Sequence, residues 1–273
     1  MDKMIKKPVR ITEIRNEGKN VKTFFFDEKM HHVSPGRFVS AWIPGYGEKP
    51  FSISYDNPLA ITVKRIEKDP SNPIVGRFTN KMFELKERDR VWISGPRGNG
   101  FPIRNFHNRN VCIVAGGTGT VPVALLSQKT YKSKIISFLG AKTVDELIMG
   151  GRFAGEIHIA TEDGSYGEKD LVTDVLEKYD LSSIVDPRTK AAVCGPEKMM
   201  YKSVKILEKH LDRENIYVCL ERLMKRGIGL CGSCEIGGYR ICADGPVLTA
   251  KKLEDVPDFG NFKRDRCGRK EYL

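Results

Sequence analysis

The feature that most constrains the fold is a change in the pattern of apolar residues near Asn110. Before that point, short apolar stretches are separated by turn residues such as Pro35-Gly36 and Gly95-Pro96, which is typical of short β-strands. After it, the apolar run Val111–Ala115 leads into a glycine-rich loop and a helical stretch, and this order recurs. Strands that alternate with helices are typical of a parallel sheet. The sequence therefore predicts two fold classes in one chain.

The first hundred residues are predicted to form a small antiparallel β-barrel. Several short strands at regular spacing favour such a closed sheet. One helix interrupts them near Gly76–Leu85, where Phe78, Met82 and Leu85 recur at helical spacing. The predicted strands are Val9–Thr12, Val21–Phe26, Arg37–Ile43, Phe51–Ser54, Ala60–Arg65 and Arg90–Ile93.

The middle of the chain is predicted to be an α/β domain, followed by a small cysteine-rich module. Glycines crowd the segment after Leu220 and its apolar content falls, so a bound metal would supply its folding energy. We place the three domains at 1–106, 107–218 and 219–273. The predicted strands are Val111–Ala115, Ile135–Leu139, Glu156–Ala160, Ala191–Cys194 and Tyr217–Leu220. The predicted helices are Val144–Met149, Asp170–Lys178 and Glu197–His210, with the apolar segment Val121–Leu126 after the first glycine loop.

Composition excludes several classes of protein. The chain has 273 residues, of which 40% are hydrophobic and 30% charged, a balance typical of globular proteins. No stretch approaches the roughly 20 apolar residues that span a bilayer, and the first residues lack the apolar core of a signal peptide. We therefore expect a cytoplasmic protein with no membrane contact. The net charge of +11 permits an anionic partner, but no aromatic platform accompanies the basic tail, so we expect no nucleic acid.

Two strand-to-helix loops are candidates for binding a nucleotide. Glycines in Gly116-Gly117-Thr118-Gly119-Thr120 would let the backbone approach a pyrophosphate at a helix N-terminus. The spacing is not G-x-G-x-x-G, so an ordinary Rossmann dehydrogenase is not indicated, and a tight turn is the alternative. Cys194-Gly195-Pro196 follows a strand in the same way. Its thiol would lie against a nicotinamide ring or would simply end the strand as a small buried residue.

Two segments of the first domain are suited to a flavin. Lys49-Pro50-Phe51-Ser52-Ile53-Ser54 offers a cation, an aromatic face and two hydroxyl groups, although an ordinary amphipathic strand has the same pattern. Gly76-Arg77-Phe78-Thr79 would open a helix onto a diphosphate.

The last cysteines predict a metal site. Cys231, Cys234 and Cys242 have the spacing C-x2-C-x7-C, which suits either a [2Fe–2S] cluster or a structural zinc. Plant-type clusters use C-x4-C-x2-C and a later cysteine, but Arg226 stands five residues before Cys231. A guanidinium stays protonated and has no free lone pair for iron. The candidates for a fourth ligand are Cys267, Cys219, an oxygen donor or none.

In their order along the chain, these motifs resemble the ferredoxin reductase superfamily, and more closely the electron-transfer subunits of dihydroorotate dehydrogenase B. The narrower resemblance also rests on Cys242-Ala243-Asp244-Gly245-Pro246-Val247 and Asp258-Phe259-Gly260. It implies an FAD-binding barrel, an NAD-binding α/β domain and a [2Fe–2S] module. It further implies a heterotetramer with a catalytic subunit that oxidises dihydroorotate to orotate in pyrimidine biosynthesis, with electrons passing through cluster and FAD to NAD.

The resemblance also implies a role for individual residues, with no side chain acting as a catalytic acid or base. The implied FAD contacts are Lys49, Pro50, Phe51, Ser52, Ile53, Ser54, Val63, Lys64, Gly76, Arg77, Phe78 and Thr79. The implied NAD contacts are Gly116, Gly117, Thr118, Gly119, Thr120, Cys194, Gly195 and Pro196. Cys231, Cys234 and Cys242 match three of the family's cluster cysteines, and Arg226 occupies the position of the remaining one. Cys267 is the predicted fourth ligand among the candidates given above. Beside a cluster, Arg226 is expected to stabilise its reduced state.

Other functions remain open at this point. The same modules serve as flavin subunits of hydrogenases, sulfide dehydrogenases and ferredoxin reductases. A zinc-binding module without redox activity is a second alternative, which the colour and metal content of the purified protein would distinguish.

Overall fold

Two units make up the chain in the computed structural model, which describes residues 5–265 and 267–273. The first unit contains residues 5–33 and Arg37–Arg97, and the second contains Ser34–Gly36 and Gly98–Leu273. The second unit includes residues that precede the parallel sheet. Among them, Phe101 packs edge to face against Phe106, with ring centroids 5.9 Å apart. Phe106 also contacts Tyr217 in the same unit.

The first unit is a closed six-stranded barrel, which confirms the predicted antiparallel barrel. Its strands have the order β1-β2-β5-β4-β3-β6, and β1 pairs with β6 to close the sheet. Phe24, Phe26 and Ile53 are fully buried in its core. The strands are β1 (Lys7–Gly18), β2 (Val21–Phe26), β3 (Phe38–Ile43), β4 (Gly47–Asp56), β5 (Leu59–Lys64) and β6 (Arg90–Arg97), with the helix α1 (Arg77–Glu84) between β5 and β6.

The second unit contains a seven-stranded sheet with the order β10-β9-β8-β7-β11-β12-β15. All of its strand pairs are parallel except the last, as the alternation of strands and helices predicts. The strands are β7 (Asn110–Gly116), β8 (Lys134–Ala141), β9 (Glu156–Thr161), β10 (Glu168–Lys169), β11 (Lys190–Cys194), β12 (Ile216–Cys219) and β15 (Val247–Thr249). The helices are α2 (Thr120–Lys129), α3 (Val172–Lys178) and α4 (Glu197–Leu207).

The cysteine-rich segment carries short, irregular elements. Its two hairpins are β13 (Glu235–Ile236) with β14 (Tyr239–Arg240) and β16 (Phe262–Arg264) with β17 (Lys270–Tyr272). Single 3-10 turns lie at Ile103–Asn105, Gly117–Gly119, Val144–Glu146, Gly150–Arg152, Leu181–Ser183, Arg213–Asn215 and Ala250–Leu253. Among the described residues, no helix has both the length and the apolar character needed to cross a bilayer.

Two sequence-based predictions of secondary structure were wrong. The predicted helix over Val144–Met149 is only the 3-10 turn Val144–Glu146, because so short a segment rarely supports an α-helical nucleus and the backbone becomes extended at Leu147. The segment after Leu220 is also more regular than expected. Its strand Val247–Thr249 extends the sheet by pairing antiparallel with β12, but three residues are too few to show a strand pattern in the sequence.

The buried thiol of Cys112 in β7 generates a prediction about stability at alkaline pH. Burial raises its pKa to about 12 from the usual value of 9.0, so the unfolded chain releases this proton first as the pH rises. The free energy of unfolding therefore falls between about pH 9 and pH 12, by about 1.4 kcal/mol per pH unit for this group. We expect Cys112→Ala to show a shallower fall than the wild type in urea unfolding above pH 9.

The control is Cys267→Ala, which removes an exposed thiol and should keep the wild-type slope. Identical slopes for Cys112→Ala and the wild type would contradict this account of the buried thiol.

Candidate functional site

The two predicted nucleotide loops lie side by side at the carboxyl ends of neighbouring parallel strands. β7 pairs with β8 on one side and with β11 on the other, and Cys194 of β11 stands opposite Ala115 of β7. This is a point at which the strand order reverses, where open α/β sheets bind their ligands. Gly117–Gly119 form a 3-10 turn, and the Thr120 hydroxyl donates to the Gly117 carbonyl oxygen at 2.8 Å.

The backbones of these two loops are in direct contact. A Cβ atom at Gly119 would lie 2.4 Å from the Cys194 carbonyl oxygen and 2.6 Å from the Gly195 Cα. A Cβ atom at Gly116 would lie 2.7 Å from the sulfur of Met199 in α4. The glycines are therefore required here by the close approach of the loops, and the resulting surface of bare backbone is suited to a pyrophosphate.

The thiol of Cys194 is neutral in this setting. A hydrogen bond with the Cys219 side chain and burial raise its pKa well above the usual range, and its sulfur also lies 3.4 Å from the Cys219 carbonyl oxygen. A thiol is a nucleophile only when ionised. Cys194 therefore offers a polarisable contact beside the nucleotide loops rather than a reactive thiolate.

The predicted flavin residues lie on β4, on β5 and at the start of α1, all in the first unit. The Phe51 ring on β4 lies 5.8 Å from the Phe78 ring of α1, measured between centroids. Gly76 precedes α1 with a φ of +71°, and a Cβ there would lie 2.5 Å from the Ile66 carbonyl oxygen. Among the residues predicted to contact FAD, those that are not buried are Lys49, Pro50, Phe51, Ser52, Lys64 and Arg77.

Other members of that set serve the barrel itself. The Ser54 hydroxyl is buried and bonds Thr62 Oγ1 at 2.7 Å, while Ile53 and Val63 are fully buried. The Thr79 hydroxyl accepts the Ile66 N–H at 3.1 Å, which joins α1 to the segment after β5. A contact of these side chains with a cofactor stays a prediction, because the structure shows them engaged within the protein.

Two of the three clustered cysteines are buried and adjacent. The Cys242 N–H donates to the Cys234 sulfur at 3.4 Å, and the Gly229 N–H donates to the Cys242 sulfur at 3.1 Å. Burial raises the pKa of Cys234 to about 11. Backbone N–H groups that point at sulfur atoms are the contacts that tune iron–sulfur centres.

The third cysteine of this cluster, Cys231, is exposed at the end of the same loop. Hydrogen bonds from the Ser233 hydroxyl, and then from the backbone N–H groups of Ser233 and Arg226, lower its pKa to about 7. Arg226 thus lies beside the cysteine that follows it by five residues. Thiols that accept hydrogen bonds from N–H groups are chemically suitable ligands for an iron–sulfur centre.

The full four-cysteine set stays a prediction. Cys267 is exposed in the turn between β16 and β17, where its N–H donates to Asp265 Oδ1 at 2.7 Å. Within 5–265 and 267–273, no three His, Cys, Asp or Glu side chains are gathered closely enough to hold a metal ion. The described residues therefore do not form a complete metal site, and the role of Cys231, Cys234 and Cys242 as cluster ligands also stays a prediction.

A buried ion pair, which the sequence does not predict, joins the cysteine segment to the second nucleotide loop. Glu197, the first residue of α4, directly follows Pro196 and is 2% exposed. Arg222 donates to its two carboxylate oxygens at 2.5 and 2.7 Å, and the Gly260 N–H donates to it at 3.2 Å. Removal of one partner from such a pair costs about 3–5 kcal/mol. In the sequence, the only sign of a role for Glu197 is its position directly after Pro196.

Comparisons with known proteins agree with this geometry. A family model described as the iron-sulfur cluster binding domain of dihydroorotate dehydrogenase B matches residues 221–254. A structure of an NADH-dependent reduced ferredoxin-NADP oxidoreductase superposes with a TM-score of 0.74 at 24% identity, covering 92% of each chain. The ferredoxin-NADP+ reductase of Plasmodium falciparum superposes with a TM-score of 0.65 at 18% identity, covering 79% of this chain and 96% of that one.

The barrel, the sheet and the cysteine segment thus define a protein with the ferredoxin–NADP reductase fold and a C-terminal iron–sulfur binding domain. A probable dihydroorotate dehydrogenase B (NAD(+)) electron transfer subunit of Pyrococcus horikoshii is 41% identical over 263 residues, 96% of each chain. The protein of the same description from Methanocaldococcus jannaschii is 38% identical over 283 residues, 98% of this chain and 100% of that one. The chain belongs to this family of electron transfer subunits, which confirms the resemblance seen in the sequence.

The contact between the two nucleotide loops generates a prediction for Gly119→Ala. The added methyl group would force the Gly116–Thr120 loop away from Cys194, at a cost of about 1–3 kcal/mol. We expect the dissociation constant for NADH to rise by at least about tenfold, a loss of about 1.4 kcal/mol, in fluorescence titrations of the holoprotein.

Gly151→Ala is the matched control, because a Cβ there meets nothing within 4 Å. It should bind NADH like the wild type. Wild-type affinity in Gly119→Ala would show that the loops do not form the nucleotide site.

Proposed function

We propose that this chain carries electrons between a catalytic dihydroorotate dehydrogenase subunit and NAD, by way of a [2Fe–2S] cluster and FAD. It would do so in the cytoplasm, within a heterotetramer that serves pyrimidine biosynthesis. The relatives described above carry the corresponding name.

The observation that carries this proposal is the bond between Glu197 and Arg222. It joins α4, which begins at the second nucleotide loop, to the segment that holds the clustered cysteines. Both partners are buried, so the pair fixes these two parts of the second unit to each other. Electrons would pass between the occupants of these two sites by way of the flavin, and a fixed distance between the two sites within the second unit would favour that transfer.

The residues of the second unit would bind and orient the nucleotide without taking part in proton transfer. The backbone N–H groups after Gly116 would hold the pyrophosphate at the start of α2, and the neutral thiol of Cys194 would contact the nicotinamide. Cys231, Cys234 and Cys242 would hold the cluster, with the Gly229 N–H bonded to the Cys242 sulfur.

In the first unit, half-buried residues of β4 and the exposed Arg77 at the start of α1 would hold the flavin. Phe51, whose ring packs tilted against the Phe78 ring, would offer an aromatic surface, and Lys49 would offer a positive charge. A bound flavin supplies the exchange between electron pairs, which nicotinamides carry, and single electrons, which iron–sulfur centres carry. No side chain needs to act as an acid or a base in such a transfer.

The activity itself is tested with the catalytic subunit of the same host. We expect the anaerobically assembled complex to form NADH from NAD when dihydroorotate is added, and the catalytic subunit alone to form none. A complex that contains iron and flavin but forms no NADH would contradict the proposal and would favour another NAD(P)H-linked complex. A colourless chain that contains zinc would favour the module without redox activity.

The surface beside the clustered cysteines generates a prediction about the partner. Leu230 is 79% exposed, directly before Cys231, and Lys225 and Arg226 are exposed on the same loop. Because Leu230 directly precedes a candidate cluster cysteine, a catalytic subunit that exchanges electrons with the cluster would contact this side chain. We expect Leu230→Asp to weaken binding of the catalytic subunit by at least about tenfold, measured by analytical ultracentrifugation.

The matched control is Leu171→Asp, which changes another exposed leucine directly before α3. It should bind the catalytic subunit normally. Equal affinity of both variants, with unchanged iron content, would place the partner elsewhere.

A further inference from the structure

The Asp258-Phe259-Gly260 segment, which follows the clustered cysteines, packs against the beginning of α4. The Phe259 ring is buried and meets the Tyr201 ring of α4 edge to face, with centroids 5.7 Å apart. Gly260 approaches more closely, because a Cβ atom there would lie 2.5 Å from the Tyr201 ring. Its φ of +81° is in the left-handed region that favours glycine. Both the backbone conformation and the contact with α4 therefore require glycine at this position.

The same segment also contacts the first residue of α4. The Gly260 N–H donates to Glu197 Oε1 at 3.2 Å, and the Lys263 ammonium lies 4.0 Å from Glu197 Oε2. Lys263 lies in β16, next to the buried Phe262. The Glu197 carboxylate is thus held by residues 258–263 as well as by Arg222, and the first turn of α4 is fixed at two of its residues, Glu197 and Tyr201.

Between those two residues, Met199 connects the first turn of α4 to both candidate nucleotide loops. A Cβ atom at Gly116 would lie 2.7 Å from the Met199 sulfur, and a Cβ atom at Gly195 would lie 2.8 Å from its methyl carbon. Side chains this closely packed transmit a displacement, because no free volume absorbs it. A shift of the first turn of α4 would therefore move the two loops relative to each other.

We propose that segment 258–263 is a positioning element of the nucleotide site, which fixes the first turn of α4 and, through Met199, the spacing of the two loops. This inference rests on the proposed function, because it needs those loops to bind NADH. It extends the site to a segment that lies 63 residues beyond Glu197 in the chain. It also gives a role to Asp258-Phe259-Gly260, for which the sequence alone shows none.

The test is Gly260→Ala in the full-length holoprotein, titrated with NADH and followed by fluorescence. The added methyl group would push Tyr201, and the first turn of α4 with it, away from segment 258–263. We expect the dissociation constant for NADH to rise by at least about tenfold, with unchanged flavin content and far-ultraviolet circular dichroism. A role in stability alone would lower the free energy of unfolding but leave the NADH affinity of the folded protein unchanged.

Gly268→Ala is the matched control, because Gly268 has a φ of +84° and a Cβ atom there meets nothing within 4 Å. It introduces the same backbone strain without a contact to α4, and it should bind NADH like the wild type. An equal loss of affinity in Gly268→Ala would show that backbone strain, rather than the contact with Tyr201, weakens binding, and this result would overturn the inference.

Tyr201→Ala tests the same contact without adding strain. Tyr201 is 39% exposed, so this substitution leaves the core of the second unit intact, and we expect the dissociation constant for NADH to rise by at least about threefold. In the Tyr201→Ala background, Gly260→Ala should cost less affinity than in the wild type, because the methyl group no longer meets the ring. Equal losses in the two backgrounds would contradict transmission through Tyr201.

The wild-type titration distinguishes failure of this inference from failure of the proposed function. A wild-type holoprotein that binds NADH, together with Tyr201→Ala and Gly260→Ala variants that bind it equally well, would overturn the inference alone. A wild-type holoprotein that binds no NADH would overturn the proposed function as well.

Discussion

The second unit depends on the buried ion pair between Glu197 and Arg222. The carboxylate lies at the first residue of α4, directly after a nucleotide loop, and the guanidinium lies at the start of the cysteine-rich segment. That segment has short strands and few long apolar stretches, so it relies on the parallel sheet for its position. Both charges are removed from water, which is tolerated because each is bonded to the other in a bidentate arrangement.

At the two candidate nucleotide loops, close contact between the backbones fixes the position of one loop against the other. Gly119 lies so close to Cys194 that no side chain fits between them, and the parallel register of β7 and β11 sets that approach. The sequence shows the glycines, and the strand order shows why they are needed. Bare backbone and a neutral thiol are suited to binding a nucleotide but supply no reactive group, which agrees with electron transfer as the function.

The barrel, the parallel sheet and the strand–loop–helix geometry of the two candidate nucleotide loops were predictable from the sequence, because alternating burial and strand–glycine–helix order are local patterns. The ion pair was not, since Glu197 and Arg222 are 25 residues apart and each resembles an ordinary surface charge. The orientation of the Ser54 side chain was also not predictable from the sequence. Its strand suggests a hydroxyl for a flavin, whereas the structure bonds that hydroxyl to Thr62 inside the barrel. Strand Val247–Thr249 was too short to recognise.

The central claim is that nucleotide, flavin and iron–sulfur chemistry are combined in one polypeptide. The most direct measurement is the absorbance spectrum of anaerobically purified chain, with flavin and iron determined on the same sample and NADH then added. The account predicts a yellow-brown protein with about one flavin and about two irons per chain, whose flavin absorbance NADH bleaches. A protein that binds no flavin after reconstitution, or whose flavin NADH leaves oxidised, would contradict it.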